Sequence, residues 1–331
     1  DGVEREFRGF GMVEQWDTEE IGIILPNEIS SDATNLDASS YVPPVITKTW
    51  FHTGAYFEKD YISWHFAHEY YGAPKKGDTN YETEFQKFEK TLLPDTIFPE
   101  SILSETPIPY DLTAEEQREA CRALKGSILR QEIYSQDDSP KKDYPYSVSE
   151  RNYTIEILQP KTENHHAVFF VHPRETIDYH YERNMDDPRT SHSLILKVDN
   201  FGNVQSSASI RYGRRNADTT LSSSDRDKQT KTLATCIENK FTNKIDLPDN
   251  YRIPLQYETI SYELTGLSNT TKRFDFSAVD DAVTNASPLP YEEKPSTGFQ
   301  KRIIEYVCIL YRKNDLSRPM PFGFIDSMAL L

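Results

Sequence analysis

The chain has 331 residues, with 37 Lys and Arg against 53 Asp and Glu and a formal charge of −16. That balance excludes a phosphate-neutralising nucleic-acid binder and a protein that lies on anionic lipid, because both need clustered positive charge. A chain of this length can bury enough surface to fold without disulfide or metal staples, and no run approaches the roughly 20 apolar residues of a membrane-spanning helix, so no membrane insertion by this segment is expected.

The N-terminal run Asp1-Gly2-Val3-Glu4-Arg5-Glu6-Phe7-Arg8 has neither Met nor a basic-then-apolar signal, and reads as an internal cut from a longer polypeptide. Runs rich in Tyr, Ile, Val and Thr, bounded by Gly, Pro, Asn and Asp, predict strands over 6–15 and 45–53, with a surface loop over 26–40 between them. Residues 81–93 carry a helical pattern. In Thr113-Ala114-Glu115-Glu116 a hydroxyl stands three positions before a carboxylate, which is a capping box. Gln117, Ala120, Cys121 and Leu124 then share one face and Gly126 suits a left-handed stop, so the spacing predicts a helix over 113–125.

Strands follow over 127–134, 153–158, 167–172, 175–182, 193–198, 204–212, 231–238, 256–264 and 302–311. In Tyr153-Thr154-Ile155-Glu156-Ile157 apolar and polar residues alternate, the period of a sheet with one packed face. Residues 216–227, which contain Ser222-Ser223-Ser224, and 288–295 read as loops, and 277–285 as a short helix behind Asp275 as its cap. The fold class is mainly β, an antiparallel strand meander with a few short helices. The chain divides into 1–112, strands and loops, and 113–331, a helix followed by strands.

Few residues suggest chemistry. His165, His166, His172, His180 and His192 lie in one stretch with Glu175, Asp178 and Glu182, but on different predicted strands and at no metal-ligand spacing, so hydrogen-bonded structural histidines are expected. His65 and His68 beside Glu69 have helical spacing but lack the separation of four used by helical zinc proteases. Glu4-x-Glu6 and Glu82-x-Glu84 pair glutamates as ADP-ribosyltransferases do, without the upstream Arg and Ser-Thr-Ser elements, and read as solvated faces. No Gly-x-Ser-x-Gly elbow, P-loop or dinucleotide fingerprint occurs.

Cys121, Cys236 and Cys308 fit no zinc, haem or redox spacing and are expected to be buried thiols. Tyr179-His180-Tyr181-Glu182-Arg183 and Asp186-Asp187-Pro188-Arg189 put charge beside aromatics; such a run can make a groove, but cross-strand pairs and Arg stacked on Tyr account for it without a ligand. Glycosylation tripeptides begin at Asn152, Asn269 and Asn285 and are assigned no role. No catalytic, cofactor-binding or metal-binding residue is assigned, no cofactor is implied, and the chain is not expected to be an enzyme.

Several strings together resemble the middle to C-terminal region of the B component of insecticidal toxin complexes, the TcdB/SpvB-like family. They include Glu4-Arg5-Glu6-Phe7-Arg8-Gly9-Phe10-Gly11, Lys48-Thr49-Trp50-Phe51-His52-Thr53-Gly54, and Arg122-Ala123-Leu124-Lys125-Gly126 followed by Leu129-Arg130-Gln131-Glu132. Tyr179 to Arg183, Asp187-Pro188-Arg189 with Ser191-His192, Asp199-x-x-Gly202-Asn203-Val204, Tyr262-Glu263-Leu264-Thr265-Gly266, Lys301-Arg302-Ile303-Ile304-Glu305, Leu310 to Leu316 and Ala329-Leu330 continue the match in order.

The resemblance implies a non-enzymatic segment of an Rhs-type (YD-repeat) β-sheet shell. In that family the B component and a C component, an Rhs protein with an effector tail, enclose a cytotoxic effector that is delivered through a pore-forming A component; the A component is met through regions outside this chain. It implies a secreted, extracellular toxin complex; that no nucleic acid is a partner is expected from the charge balance alone. Asp199–Val204 resembles a degenerate YD element, strand, turn and strand, in which Gly202 permits the turn and Asp199 can bond local backbone. The family's aspartyl self-cleavage belongs to the C component and has no matching element here. The alternative from another class is a secreted β-rich carbohydrate-binding or adhesin module, motivated by 20 Tyr, 17 Phe and three Trp. A glycoside hydrolase would rest on abundant carboxylates alone.

Overall fold

The structure, a computed structural model, describes residues 6–17, 43–56, 61–104, 106–137, 139–267 and 272–327. Strands β1 (Met12–Asp17) and β2 (Val45–Phe51) precede a 3₁₀ turn (Ala67–Glu69) and helix α1 (Tyr81–Glu89). Two short strands, β3 (Ser101–Ile102) and β4 (Ile108–Pro109), lead into helix α2 (Ala114–Ala123). Next come β5 (Ile128–Ser135), β6 (Ser147–Gln159), β7 (Val168–His180), β8 (Arg189–Val198) and β9 (Val204–Arg211). Helix α3 (Ser223–Gln229), β10 (Leu233–Phe241), β11 (Ile245–Leu247), β12 (Asn250–Arg252) and β13 (Gln256–Thr265) follow. Helix α4 (Phe276–Thr284), β14 (Ser287–Pro288) and β15 (Gln300–Cys308) complete the order.

These elements form two compact units that interleave in sequence, the first from residues 1–100, 110–171 and 177–188 and the second from 101–109, 172–176 and 189–331. In the first unit β1, β2, β5, β6 and the unit's share of β7 lie side by side in that order. Met12 stands opposite Trp50, Thr49 opposite Gln131 and Arg130 opposite Glu150, all in antiparallel register. Trp50, Ala67, Tyr70, Leu92 and Leu129 make one core cluster of this unit; Ile62, Phe98, Ala120, Cys121, Leu124, Tyr153 and Ile155 make another. Burying each of the larger of these side chains is worth about 1.5–3 kcal/mol.

Strand β6 is buried at Val148, Glu150 and Asn152 and then at Tyr153, Ile155 and Ile157, so the buried phase switches between Asn152 and Tyr153. The switch is made possible by the segment over it: Asn152 Nδ2 donates to the Pro94 carbonyl at 2.9 Å, and Ile97 exchanges backbone hydrogen bonds with Tyr153 and Ile155. The capping box of α2 forms as its residues require. Thr113 Oγ1 accepts from the Glu116 backbone N–H at 3.3 Å, Glu116 Oε2 accepts from the Thr113 N–H at 2.9 Å, and Gly126 adopts φ 86° beyond the helix end.

The second unit is the antiparallel meander β8, β9, β10, β13 and β15, with β14 added in parallel at Ser287 and Pro288. Leu194, Ala208, Ile210, Ala234, Cys236, Tyr262 and Leu264 alternate along its strands and pack under Val279, Ala282 and Val283 of α4. That is the one-sided burial expected of an antiparallel sheet covered by a helix.

Several expected elements take different bounds. The strands expected over 167–172 and 175–182 are one strand, β7, through an exposed Pro173, which lacks an N–H to donate and whose ring is compatible with extended backbone. The loop expected over 216–227 runs into α3, whose Ser222 caps it by accepting from the Asp225 N–H at 3.2 Å. The strand expected over 6–15 begins only at Met12, the helix expected over 81–93 ends at Glu89, and β6 starts six residues before the expected strand at 153–158. Short strands β3, β4, β11, β12 and β14 were not expected. The loop expected over 26–40 lies outside the described residues, as does the tripeptide at Asn269.

Candidate functional site

The histidines of 165–192 do not converge. His165 is exposed, His166 pairs with Glu119 at 2.6 Å on the surface of the first unit, and His172 Nδ1 lies 3.0 Å from the Pro173 carbonyl oxygen. His65 Nδ1 donates to the Ile62 carbonyl at 2.9 Å, while Glu69 is taken by the indole N–H of Trp50 at 2.8 Å. Among the described residues no group of three His, Cys, Asp or Glu side chains is arranged to hold a metal ion. Glu6 pairs with Lys125 at 2.7 Å and Glu84 with Lys87 at 2.7 Å, so these two glutamates are surface ion-pair partners.

The cysteines divide. Burial pushes the Cys121 thiol up to about 12 and the Cys236 thiol up to about 11, so neither is a thiolate at neutral pH. Cys308 is exposed, contrary to the expectation that all three are buried, because the end of β15 carries nothing over it among the described residues. Of the glycosylation tripeptides, the one at Asn152 is fully buried and closed to modification, whereas Asn285 is exposed at the end of α4.

What the sequence does bring together are buried charges. Arg130 of β5 is 4% exposed; its Nε donates to Glu132 at 2.6 Å, its Nη1 to Glu150 of β6 at 2.7 Å, and its guanidinium lies 4.8 Å from the Tyr70 ring centre. Burial opposes that charge, yet Glu150 and Glu132 outweigh it and push the Arg130 pKa up. The same Glu132 Oε1 also accepts from the Tyr71 N–H at 2.8 Å, and the remaining oxygens are engaged too: Glu132 Oε2 accepts from the Tyr134 hydroxyl at 2.6 Å and Glu150 Oε2 from the Leu93 N–H at 3.0 Å. The network therefore ties the segments around Tyr70 and Leu93 to the sheet. Arg183, expected to stack on a tyrosine, lies 4.6 Å from the Tyr146 ring centre and donates to Asp137 Oδ1 at 3.0 Å and to the Ser135 carbonyl at 3.0 Å.

In the second unit His192 and Glu175 are both buried, with Nε2 donating to Oε2 at 3.0 Å. His192 Nδ1 lies 3.3 Å from the Tyr212 hydroxyl, whose oxygen accepts the Phe274 N–H at 2.9 Å. Burial pushes the Tyr212 phenol up to about 12. This chain of bonds anchors the segment entering α4 to β8 and β9. At the β8–β9 turn Asp199 Oδ1 accepts from the backbone N–H of Phe201 and of Asn203, each at 2.9 Å, and Gly202 adopts φ 82°. The Asp-x-x-Gly-Asn string is thus a strand, turn and strand in which both named residues act as their chemistry predicts.

One surface stands out. β15 pairs with β13, with a register shift at Ile304, and among the described residues its other edge is met by β14 at Gln300 and Lys301. Beyond that point Ile303, Ile304, Glu305, Tyr306 and Val307 are exposed, and no further strand pairs with that edge among the described residues. Natural edge strands usually carry charge or proline to prevent pairing.

Residues 119–255 match the family model described as the insecticide toxin TcdB middle/C-terminal region. No curated protein matches the chain in sequence. Among solved structures, the crystal structure of TcdB2–TccC3 superposes with a TM-score of 0.69 at 22% identity, over 98% of this chain and 14% of that one. TcdB2–TccC3–Cdc42 gives 0.58 at 26% identity, over 80% and 11%. A Photorhabdus luminescens Tc holotoxin pore gives 0.68 at 22% identity, over 97% and 14%. The chain therefore spans about a seventh of the length of the first of these, and the shared feature at that identity is the fold. The sequence likeness to that toxin region thus covers residues 119–255, and the likeness to the solved structures is one of fold, over nearly the whole chain.

Proposed function

We propose that this chain is a length of wall in the shell of a toxin-complex B component, part of a larger polypeptide, and that it works by strand pairing without catalysing a reaction. In this reading the B component, together with an Rhs-type C component, encloses a cytotoxic effector in a secreted complex. Delivery runs through a pore-forming A component met by other parts of the polypeptide. The observation that carries the reading is that nearly the whole fold recurs as a segment of a much longer chain in TcdB2–TccC3. The open apolar edge of β15 supports it, since an edge of this kind is stable when another strand completes it.

The test is an electron-microscopy reconstruction of the parent polypeptide co-expressed with its Rhs-containing partner. The expected result is a hollow particle with residues 6–327 in its wall and a further strand on the edge of β15. A compact domain with that edge open to solvent would overturn the reading. Glycan binding by a stable monomer would favour an adhesin in its place.

A further inference from the structure

His52 follows the last residue of β2, and its backbone closes the sheet end: its N–H donates to the Ser127 carbonyl at 2.8 Å and its carbonyl accepts the Gly126 N–H at 2.9 Å. The ring is 3% exposed, and its Nε2 has no hydrogen-bond partner among the described residues. It packs edge-on against the Tyr153 ring, with centres 5.7 Å apart, and against His65 at 6.4 Å. Those two are the titratable rings that the described residues place against it. Asp95, Glu69 and His68 act on His65 but not on His52. Asp95 is moreover occupied by the Ile62, Ser63 and Thr96 N–H groups at 2.7, 2.7 and 2.8 Å. An imidazole so placed favours its neutral form, because a charged ring would be desolvated by burial with no carboxylate beside it among the described residues.

We propose that His52 is an acid-sensitive latch of the first unit: taking up a proton there releases the end of β2 from its neighbours. The sign follows from the shift. Burial, with His65 adding to it, lowers the His52 pKa from 6.5 to about 3, so the unfolded or opened state binds the proton first. The latch is intact above pH 6.5 and weakens progressively as pH falls toward 3. One such proton multiplies the opening equilibrium by about 30 at pH 5 relative to pH 7.5, at tenfold per pH unit below the opened-state value.

Hydrogen exchange read by mass spectrometry on the full polypeptide, at pH 7.5 and 5.0 and corrected for intrinsic rates, tests this. Peptides covering 45–56 and 127–135 are expected to lose protection about 30-fold at pH 5. H52F, which keeps an aromatic ring against Tyr153 and cannot take a proton, is expected to remove that loss, and H166Q at the exposed His166 to leave it intact. Should H52F fail to fold, the wild-type protein still decides the matter through its slope, one proton per opening between pH 6 and 4. Unchanged protection of 45–56 across the two pH values, a zero slope, or a full acid response in H52F would overturn the proposal.

Discussion

Replacing Arg130 with Met leaves Glu132 and Glu150 facing each other in the first unit, 1% and 7% exposed, without the cation that holds them charged. Breaking a buried ion pair by removing one partner costs about 3–5 kcal/mol, because the orphaned charge keeps its desolvation penalty. Two considerations place the cost near the lower end. Each carboxylate keeps hydrogen bonds, Glu132 from the Tyr71 N–H and Tyr134 hydroxyl and Glu150 from the Leu93 N–H. The Met side chain also fills much of the space against Tyr70. R130M should therefore lose about 3 kcal/mol in urea unfolding followed by tryptophan fluorescence, which the buried Trp50 reports.

The triple change R130M/E132Q/E150Q removes the charges together and should recover most of the loss, since apolar or neutral replacement of a whole buried charge cluster is often neutral. A single variant within about 0.5 kcal/mol of wild type, or a triple variant no more stable than R130M, would refute the assignment of Arg130 as the counter-charge of this network.

Thr113→Ala removes one leg of the α2 capping box and should cost about 1 kcal/mol in the same unfolding assay. Gly202→Ala forces a Cβ onto a residue at φ 82° and should cost about 1–2 kcal/mol, with NMR or circular dichroism still showing the native fold. On the function proposed above, Ile304→Lys on β15 should leave stability within about 0.5 kcal/mol while abolishing co-purification with the proposed Rhs-type partner. With an aqueous thiol reagent Cys308 should label in the native state, and Cys121 and Cys236 only after unfolding.

The features legible in the sequence are those decided within a few residues. The capping box of α2 needs only Thr113 and Glu116, and the turn at Asp199 to Asn203 needs only one carboxylate and one glycine, so both form as read. Alternation such as Tyr153-x-Ile155-x-Ile157 marks a strand because its period is set by backbone geometry. The Ser222 cap of α3 was present too, but three successive serines have the composition of a loop and hid it. The resemblance rests on many short strings in order, none of them specific alone, and the family model matches in sequence over 119–255.

What the tertiary structure alone decided are pairings between residues far apart in the chain. Nothing local to Arg130 indicates that Glu150 lies 2.7 Å away, and nothing in the histidine-rich stretch separates His192, which meets Glu175, from His166 on the surface. The burial of His52 depends on Tyr153 and His65, brought beside it by other segments, and that burial is what disfavours its protonated form. The open edge of β15 likewise depends on where β14 ends, which no periodicity within 300–308 encodes. Backbone conformation is a local property, while desolvation and charge pairing belong to whatever the fold brings close.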